Sequence, residues 1–303
     1  MATVSDRVRR ARPLLGTFVE IEVAGAARSE MDAAINSAFE AVAAVHRLMS
    51  FHEPESDVSR LNHEAWLRPV RVHTLTFQVL EAAVEMHRRS RGIFDIAIAP
   101  TLQSMGLLPR LSADSPDVAD GRMLDAIELL PGQTVRFRHP AVRIDLGGIA
   151  KGFAVDGALQ ALRGFGVTSG LVNAGGDLAA FGEEPQTIHI RHPRDPRRLI
   201  CNIEVTDEAL ASTARRIDLF QSADTTGSAI IDPRTRKPAH TIDGATVRAS
   251  SCMVADALTK IVMIAGTDAI ELLEHYNASA LLISTDGDVQ ITPDWHHAVH
   301  LAA

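Results

Sequence analysis

Three glycines and one lysine stand together in the middle of the chain, where residues 145–152 read DLGGIAKG. The apolar-periodic segment 153–162 follows directly, which predicts a helix that begins beside these glycines. Glycine lets a backbone approach a ligand closely, and the start of a helix offers free N–H groups and a positive dipole end. Together with the charge of Lys151, this combination would suit a phosphate group.

A second glycine pair, Gly175 and Gly176, lies between an apolar run and Asp177. The two glycine turns are placed as two walls of one ligand site would be. Glycine pairs also mark ordinary tight turns, and neither segment matches the dinucleotide fingerprint or the phosphate loop. The spacing alone therefore leaves both interpretations open.

The composition is that of an ordinary globular protein with enough apolar residues for a large core: 303 residues, 46% hydrophobic and 22% charged. A net charge of −8, one Tyr and two Trp argue against nucleic-acid binding. Cys201 and Cys252 make neither a disulfide framework nor a C-x-x-C metal motif. No apolar run reaches the length of about 20 residues that a membrane span needs. The N-terminus lacks the apolar segment of a secretory signal, so we expect a cytoplasmic protein.

Helical and strand patterns are interleaved without a regular βαβ series, which predicts an α+β fold. We expect helices over residues 29–48 (capped by Ser29), 74–90, 153–162, 255–264 and 267–275. We expect strands over residues 18–23, 135–137, 142–144, 187–191 and 200–205, and a closing hairpin over 280–284 and 288–292. The polar segment 50–59 is predicted to be a loop.

Seven segments, in order along the chain, resemble motifs of the ApbE family, the FAD:protein FMN transferases. They are residues 12–22 (RPLLGTFVEIE), 49–62 (ending in SRLN), 92–100 (GIFDIAIAP), 145–156, 173–177 (NAGGD), 231–235 (IDPRT) and 254–258 (VADAL). The resemblance implies one domain over residues 1–303, built of two intimately joined lobes related to the T-fold, with the ligand site between them.

The resemblance also implies an activity: Mg²⁺-dependent transfer of FMN from FAD to a Thr or Ser of an acceptor protein, with release of AMP. It implies cofactor contacts at Asp95, Gly147, Gly148, Lys151, Gly152, Asn173, Gly175, Gly176, Asp177 and Asp232. Taken without the resemblance, Asp95 is interpreted as a cap on a neighbouring backbone group, since it stands inside an apolar run. The metal would be held by Asp256 and by the backbone carbonyl of Ala150.

Two positions depart from the family pattern. The family has a His, thought to be the base, three residues before the Asp of its His-x-x-Asp-Pro motif, and this chain has Ala229. His240, eight residues after Asp232, could take its place. The family has Thr or Asp four residues after its metal-binding Asp, and this chain has Lys260. Residues i and i+4 share a helix face, so the Lys260 ammonium would pair with Asp256 where the metal should sit.

Two hypotheses follow from these departures. In the first, the protein is an FMN transferase in which His240 or the substrate itself replaces the missing base. In the second, it is a flavin-nucleotide-binding paralogue with little or no transferase activity. A nucleotide-binding α+β domain without any flavin role would be a third, and the seven ordered motifs argue against it.

Overall fold

The computed structural model describes residues 7–110, 123–215 and 230–301. The strands, in chain order, are β1 (Arg7–Leu14), β2 (Thr17–Ala24), β3 (Val70–Arg71), β4 (Ile127–Leu130), β5 (Thr134–Phe137), β6 (Ser169–Ala174), β7 (Asp177–Phe181), β8 (Gln186–His192), β9 (Asp195–Val205), β10 (Ala209–Ala214), β11 (Ile231–Asp232), β12 (Lys237–Pro238), β13 (Ile242–Ala249), β14 (Ser279–Ser284), β15 (Val289–Ile291) and β16 (Val299–Leu301). The helices are α1 (Arg28–Met49), α2 (Asp57–Glu64), α3 (Thr74–Arg89), α4 (Ala99–Ser104), α5 (Ala150–Arg163), α6 (Cys252–Ala265) and α7 (Ile270–His275), with short 3-10 helices at Met123–Ala126, Gly266–Ala269 and Pro293–Ala298. Helices and strands are interleaved, which confirms the predicted α+β fold class.

The main sheet has eight strands in the order β1-β2-β6-β7-β10-β13-β14-β15, and all neighbours run antiparallel. Successive side chains of a strand point to opposite faces. In β7, Ala179 and Phe181 belong to the core on one face, whereas Leu178 and Ala180 belong to the core on the other. The middle of the sheet is therefore covered on both faces.

Helices α1, α5 and α6 form the layer on one face, with α5 packed between the other two. The apolar stripe predicted for residues 29–48 is buried as expected. The helix begins at Arg28, however, so that Ala27 rather than the predicted Ser29 is the N-cap residue. The Glu30 carboxylate accepts the N–H of Ala27 at 3.1 Å. No helix in the described ranges combines the length and the apolar character needed to cross a membrane.

The opposite face carries the three-stranded sheet β16-β9-β8, whose interior includes the fully buried Trp295. The two strands predicted over residues 187–191 and 200–205 are confirmed as antiparallel neighbours. The predicted closing hairpin is confirmed as β14 and β15.

The small sheet β3-β5-β4 and helices α2, α3 and α4 contribute to the same continuous core as α1, α5 and α6. The buried side chains of this sheet are Val70, Ile127, Val135 and Phe137. The division of residues 1–303 into two lobes stays a prediction.

The predicted strand over residues 142–144 does not form, although Val142 and Ile144 are buried. The side-chain amide of Asn62 makes the hydrogen bonds that a neighbouring strand would make. Its Oδ1 accepts the N–H of Ile144 at 2.7 Å, and its Nδ2 donates to the Ile144 carbonyl at 2.9 Å. The extended segment is thus satisfied without a ladder of backbone hydrogen bonds.

The predicted loop over residues 50–59 is also wrong in its second half, where α2 begins. Ser56 caps this helix, since its Oγ accepts the Ser59 N–H at 3.0 Å. The carboxylate of Asp57 accepts the His73 N–H at 2.8 Å and the Thr76 hydroxyl at 2.7 Å, which joins α2 to the start of α3. Of the polar residues that indicated a loop, Ser56 is the N-cap of α2, and Asp57 in the first turn of α2 holds the start of α3.

Gly152 allows α5 to lie directly against the first turn of α6. A Cβ at this position would lie 2.3 Å from the Cys252 carbonyl oxygen and 2.8 Å from the Met253 Cα. Both are backbone atoms, which cannot turn away as a flexible side chain could. A second glycine of α5, Gly157, has nothing within 4 Å of such a Cβ.

We therefore expect Gly152→Ala to lower the free energy of unfolding by about 1–3 kcal/mol, because the helices must separate. Gly157→Ala is the matched control in the same helix and should raise it by up to about 1 kcal/mol, since alanine favours helix. Urea unfolding of both variants measures the difference. Equal effects of the two substitutions would show that the two helices are not in tight backbone contact.

Candidate functional site

A cavity of about 280 Å³ opens beside the first glycine turn. One wall is apolar and comes from residues 93–108, including Phe94 and Leu107. The rest of the lining includes Gly147 and Gly148, Pro233, and Lys260 of α6. The cavity thus combines a mostly apolar wall with one positive charge.

Two carboxyl groups, Asp95 and Asp145, line the same cavity. Asp145 accepts the Gly147 N–H at 3.1 Å, and Asp95 accepts the Ala97 N–H at 2.7 Å, as the interpretation of Asp95 as a cap required. Burial raises the pKa of both carboxyl groups above the usual range. Ionisation of either carboxyl group therefore costs free energy in this buried position.

The ammonium of Lys260 is held by three oxygen atoms. It forms an ion pair with Asp256 and donates to the Thr213 hydroxyl at 3.0 Å and to the Thr259 hydroxyl at 3.1 Å. The Lys260 side chain is 15% exposed, whereas that of Asp256 is 0% exposed. The cavity therefore meets the cation, and the carboxylate lies behind it.

Asp256 is ionised inside the protein. Burial opposes its ionisation, but the charges of Lys260 and Lys151 and the Gly152 N–H outweigh burial and lower its pKa. The Gly152 N–H lies 3.1 Å from Oδ2, and Lys260 binds Oδ1. Both oxygens of Asp256 are thus engaged by groups of the chain itself.

A second buried ion pair joins Lys151 of α5 to Asp177 of β7. The Asp177 side chain is 1% exposed, and its Oδ1 is buried without a hydrogen-bond partner. Burial, together with the charge of Asp256, raises the pKa of Asp177 despite the two lysines nearby. The pair links the two glycine turns that the sequence singled out.

The partly buried Asp156 joins the buried Asp177 and Asp256 in a cluster of three carboxylates where α5, α6 and β7 meet. It accepts the N–H groups of Cys252 and Met253, at 2.7 and 2.9 Å, in the first turn of α6. Free N–H groups at a helix start are natural partners of a carboxylate. Asp156 thereby holds α6 in the position that places Asp256 and Lys260.

The predicted Mg²⁺ site does not fit these side chains. Mg²⁺ takes oxygen ligands in octahedral geometry, and Asp256 is its expected carboxylate ligand. That carboxylate is bonded to Lys260 and Gly152, and Ala150, the other expected ligand, is the first residue of α5. Within the described ranges, no group of three or more His, Cys, Asp or Glu is arranged to hold a metal. The ammonium of Lys260 takes the place that the metal would need.

The second glycine turn faces a different cavity, of about 270 Å³, between the main sheet and β8. Asn173 and Gly176 line it, and the Asn173 Oδ1 accepts the Gly176 N–H at 2.9 Å. Gly175 has φ +67° and Gly176 has φ +103°, conformations that favour glycine. The structure connects the two turns through the Lys151–Asp177 pair, while each turn faces its own cavity.

The remaining predicted residues lie apart from the first cavity or at its edge. Asp232 pairs with Arg234 at 2.9 Å, between two residues that line the cavity. His240 is exposed and does not line it, and its carbonyl accepts Arg215 Nη1 at 3.0 Å. Gly152 lies at the contact of α5 with α6. Ala229 lies outside the described residues. The cofactor and catalytic roles of these residues stay predictions.

Comparison with known proteins decides the family. Residues 15–282 match the family model described as ApbE family. The chain belongs to the ApbE family. Among curated proteins it is similar to the FAD:protein FMN transferase of Vibrio cholerae serotype O1, with 29% identity over 236 residues covering 74% of this chain and 71% of that protein. It is also similar to a Klebsiella pneumoniae protein of the same name, with 25% identity over 272 residues covering 86% and 85%.

Solved structures support the same fold. The ApbE protein of Thermotoga maritima superposes with a TM-score of 0.84 at 23% identity, covering 97% of this chain and 99% of that one. The flavin transferase ApbE of Vibrio cholerae superposes with a TM-score of 0.82 at 24% identity, with the same coverage. At these identities the likeness establishes the ApbE fold.

Sequence reasoning did not assign a contact to Asp145, although this residue opens the central motif. A carboxylate just before two glycines was the signal, because a turn lets the side chain accept a nearby backbone N–H. The apolar wall around Phe94 and Leu107 was missed as well. No local pattern distinguishes cavity-lining apolar residues from those of the core.

We expect Lys151→Met to lower the free energy of unfolding by about 3 kcal/mol, because it leaves the buried Asp177 without its counter-charge. The double variant Lys151→Met/Asp177→Asn should recover most of the loss. Arg68→Met, which breaks an exposed i,i+4 pair with Glu64, should cost less than about 1 kcal/mol. Chemical denaturation of the three variants tests this, and a Lys151→Met cost as small as that of Arg68→Met would contradict it.

The raised pKa of Asp145 gives a pH-dependent prediction. Its contribution to stability is fully present below the unfolded pKa of about 3.9 and is lost as the pH rises through the folded pKa. Asp145→Asn cannot ionise, so it should melt a few degrees higher than the wild type at neutral pH, and this gain should shrink as the pH falls toward about 4.

Asp232→Asn is the control of opposite sign, since hydrogen bonds from Arg234 outweigh burial and lower the pKa of Asp232. Its stabilising effect is present above the unfolded pKa and is lost as the pH falls through the folded pKa. The variant should therefore melt lower than the wild type at neutral pH and approach it in acid. Melting curves that show the same sign for both variants would refute the assignment of Asp145.

Proposed function

We propose that the protein transfers FMN from FAD to a Thr or Ser hydroxyl of an acceptor protein and releases AMP. The observation that carries this proposal is a cavity with an apolar wall, a glycine turn and the Lys260 ammonium at one side. A nucleotide needs an apolar surface for an aromatic ring and a positive charge for its phosphates. The similar proteins of Vibrio cholerae and Klebsiella pneumoniae are named FAD:protein FMN transferase, which supports FAD as that nucleotide.

In this reaction the acceptor hydroxyl oxygen bonds to the flavin-side phosphorus of FAD. The bond from that phosphorus to the bridging oxygen breaks, and AMP leaves with the electron pair. The hydroxyl proton passes to a base, for which His240 is the candidate of this chain. Such transfers depend mainly on positioning and on neutralising the phosphate charge, and Lys260 and the Gly147–Gly148 turn supply these functions here.

The family resemblance also implies Mg²⁺ at Asp256 and Ala150. The side chains around Asp256 do not fit that ion because Lys260 is bonded to the same carboxylate. No step of the proposed reaction is therefore assigned to a metal.

A second function, binding of a flavin nucleotide with little or no transfer, is favoured by one specific observation. Ala229 stands where the family pattern has its His, and Ala cannot accept a proton. The nearest candidate in sequence, His240, does not line the cavity. The cavity and the Lys260 ammonium would then only bind the flavin nucleotide and would not take part in a transfer reaction.

Incubation with FAD and a peptide or domain that carries a flavinylation-type Thr separates the two functions. We expect in-gel flavin fluorescence on the acceptor and an equal amount of AMP. His240→Ala should slow transfer by about 100-fold or more if His240 is the base. His300→Ala, which removes an exposed imidazole on β16, is the matched control and should leave the rate unchanged.

FAD that is bound but recovered intact, without AMP, would overturn the transferase proposal in favour of the binding protein. If the His240→Ala variant transfers FMN at the full rate, the protein is a transferase but His240 is not its base. The substrate hydroxyl would then lose its proton to another group.

A further inference from the structure

Lysine is rare in this protein, and two of its three lysines lie close together. The chain has 30 Lys and Arg residues, of which only Lys151, Lys237 and Lys260 are lysines. Two of the three form ion pairs with buried aspartates at the same place. The ammonium of lysine is a compact point charge, unlike the planar fork of arginine, and so resembles a small bound cation.

The surroundings of the Lys260 ammonium resemble a cation site built from oxygen atoms. One carboxylate oxygen and two hydroxyl oxygens surround it: Asp256 Oδ1, Thr213 Oγ1 and Thr259 Oγ1. Thr259 Oγ1 also bonds the Asp256 carbonyl at 2.7 Å and Thr213 Oγ1 at 2.8 Å. Thr259 Oγ1 therefore stays hydrogen-bonded if it loses the ammonium. The ammonium proton that points at Thr259 is able to turn to a ligand oxygen instead.

The Lys260 side chain is also fixed along its length. A Cβ on Gly148 would lie 3.6 Å from the Lys260 Cγ and 3.6 Å from the Phe94 ring. The alkyl part therefore runs under the glycine turn, with the ammonium at the cavity. A metal ion bound to Asp256 would lie next to the Lys260 ammonium, and two positive charges that close repel strongly. The metal would therefore have to displace the ammonium from its three oxygen partners.

We propose that the Lys260 ammonium is the resident cation of this site and binds the diphosphate of FAD without Mg²⁺. The proposal rests on the proposed function only for the identity of the nucleotide. It assigns to one side chain the charge neutralisation that a divalent ion would otherwise supply. The glycine turn at Gly147 and Gly148 lets the phosphates approach that charge closely.

The experiment measures FAD affinity by fluorescence quenching in EDTA and in millimolar MgCl₂, without any acceptor protein. The wild type should bind FAD equally under the two conditions, within about twofold. Lys260→Met should lose about tenfold or more in affinity in EDTA, as expected for a lost charge-assisted contact. Lys260→Arg keeps the charge and should lose less affinity than Lys260→Met.

Lys260→Thr tests the exchange of one cation for the other. It removes the ammonium and offers Asp256 to a metal, so its FAD affinity should be low in EDTA and rise with Mg²⁺. Titration calorimetry should detect Mg²⁺ binding to Lys260→Thr and not to the wild type. The double variant Asp256→Asn/Lys260→Met, which carries neither charge, controls for stability, and circular dichroism checks that each variant is folded. Arg68→Met controls for the loss of a cation elsewhere and should leave FAD affinity unchanged.

The proposal is overturned if EDTA weakens FAD binding to the wild type about tenfold or more, or if the wild type itself binds Mg²⁺. It is also overturned if the folded Lys260→Met variant, or the double variant, keeps the full FAD affinity. The outcome for the proposed function is separate. Metal-independent FAD binding without any transfer would refute the transferase and leave this inference standing, whereas transfer that requires Mg²⁺ would do the reverse.

Discussion

Two buried carboxylates, Asp177 and Asp256, and the partly buried Asp156 constrain the centre of this protein, since an ionised group without partners is costly in an apolar interior. Asp156 is satisfied by the first turn of α6 and Asp256 by the Gly152 N–H and Lys260. Asp177 is paired with Lys151. These contacts fix α5, α6 and β7 relative to one another. Gly152 is part of the same arrangement, because any larger residue would separate the two helices.

The position of the site follows from this arrangement. The first turn of α5 carries Lys151, and the turn before it carries Gly147 and Gly148, which line the cavity. One helical turn after Asp256, Lys260 presents its charge to the same cavity. The groups that stabilise the junction of the helices therefore also place a cation beside a glycine turn. Core packing and the proposed nucleotide contact depend on the same ion pairs.

Much of this could be predicted from local sequence. The helices over residues 29–48 and 153–162 and the final hairpin have clear periodic patterns, and the Lys260–Asp256 pair follows from the i,i+4 spacing on a helix. The missing strand at residues 142–144 could not be predicted, because its hydrogen bonds go to the side chain of Asn62, far away in the sequence. The pairing of Lys151 with Asp177 and the cavity wall likewise depend on tertiary contacts that no spacing reveals.

The most direct test of the account is a crystal structure of the protein with FAD, grown with Mn²⁺ in place of Mg²⁺ so that bound metal is visible by anomalous scattering. The account predicts a phosphate oxygen of FAD within hydrogen-bond distance of the Lys260 ammonium, and no anomalous peak at Asp256. An anomalous peak bound to Asp256 and to the diphosphate, with the Lys260 side chain turned away, would contradict it.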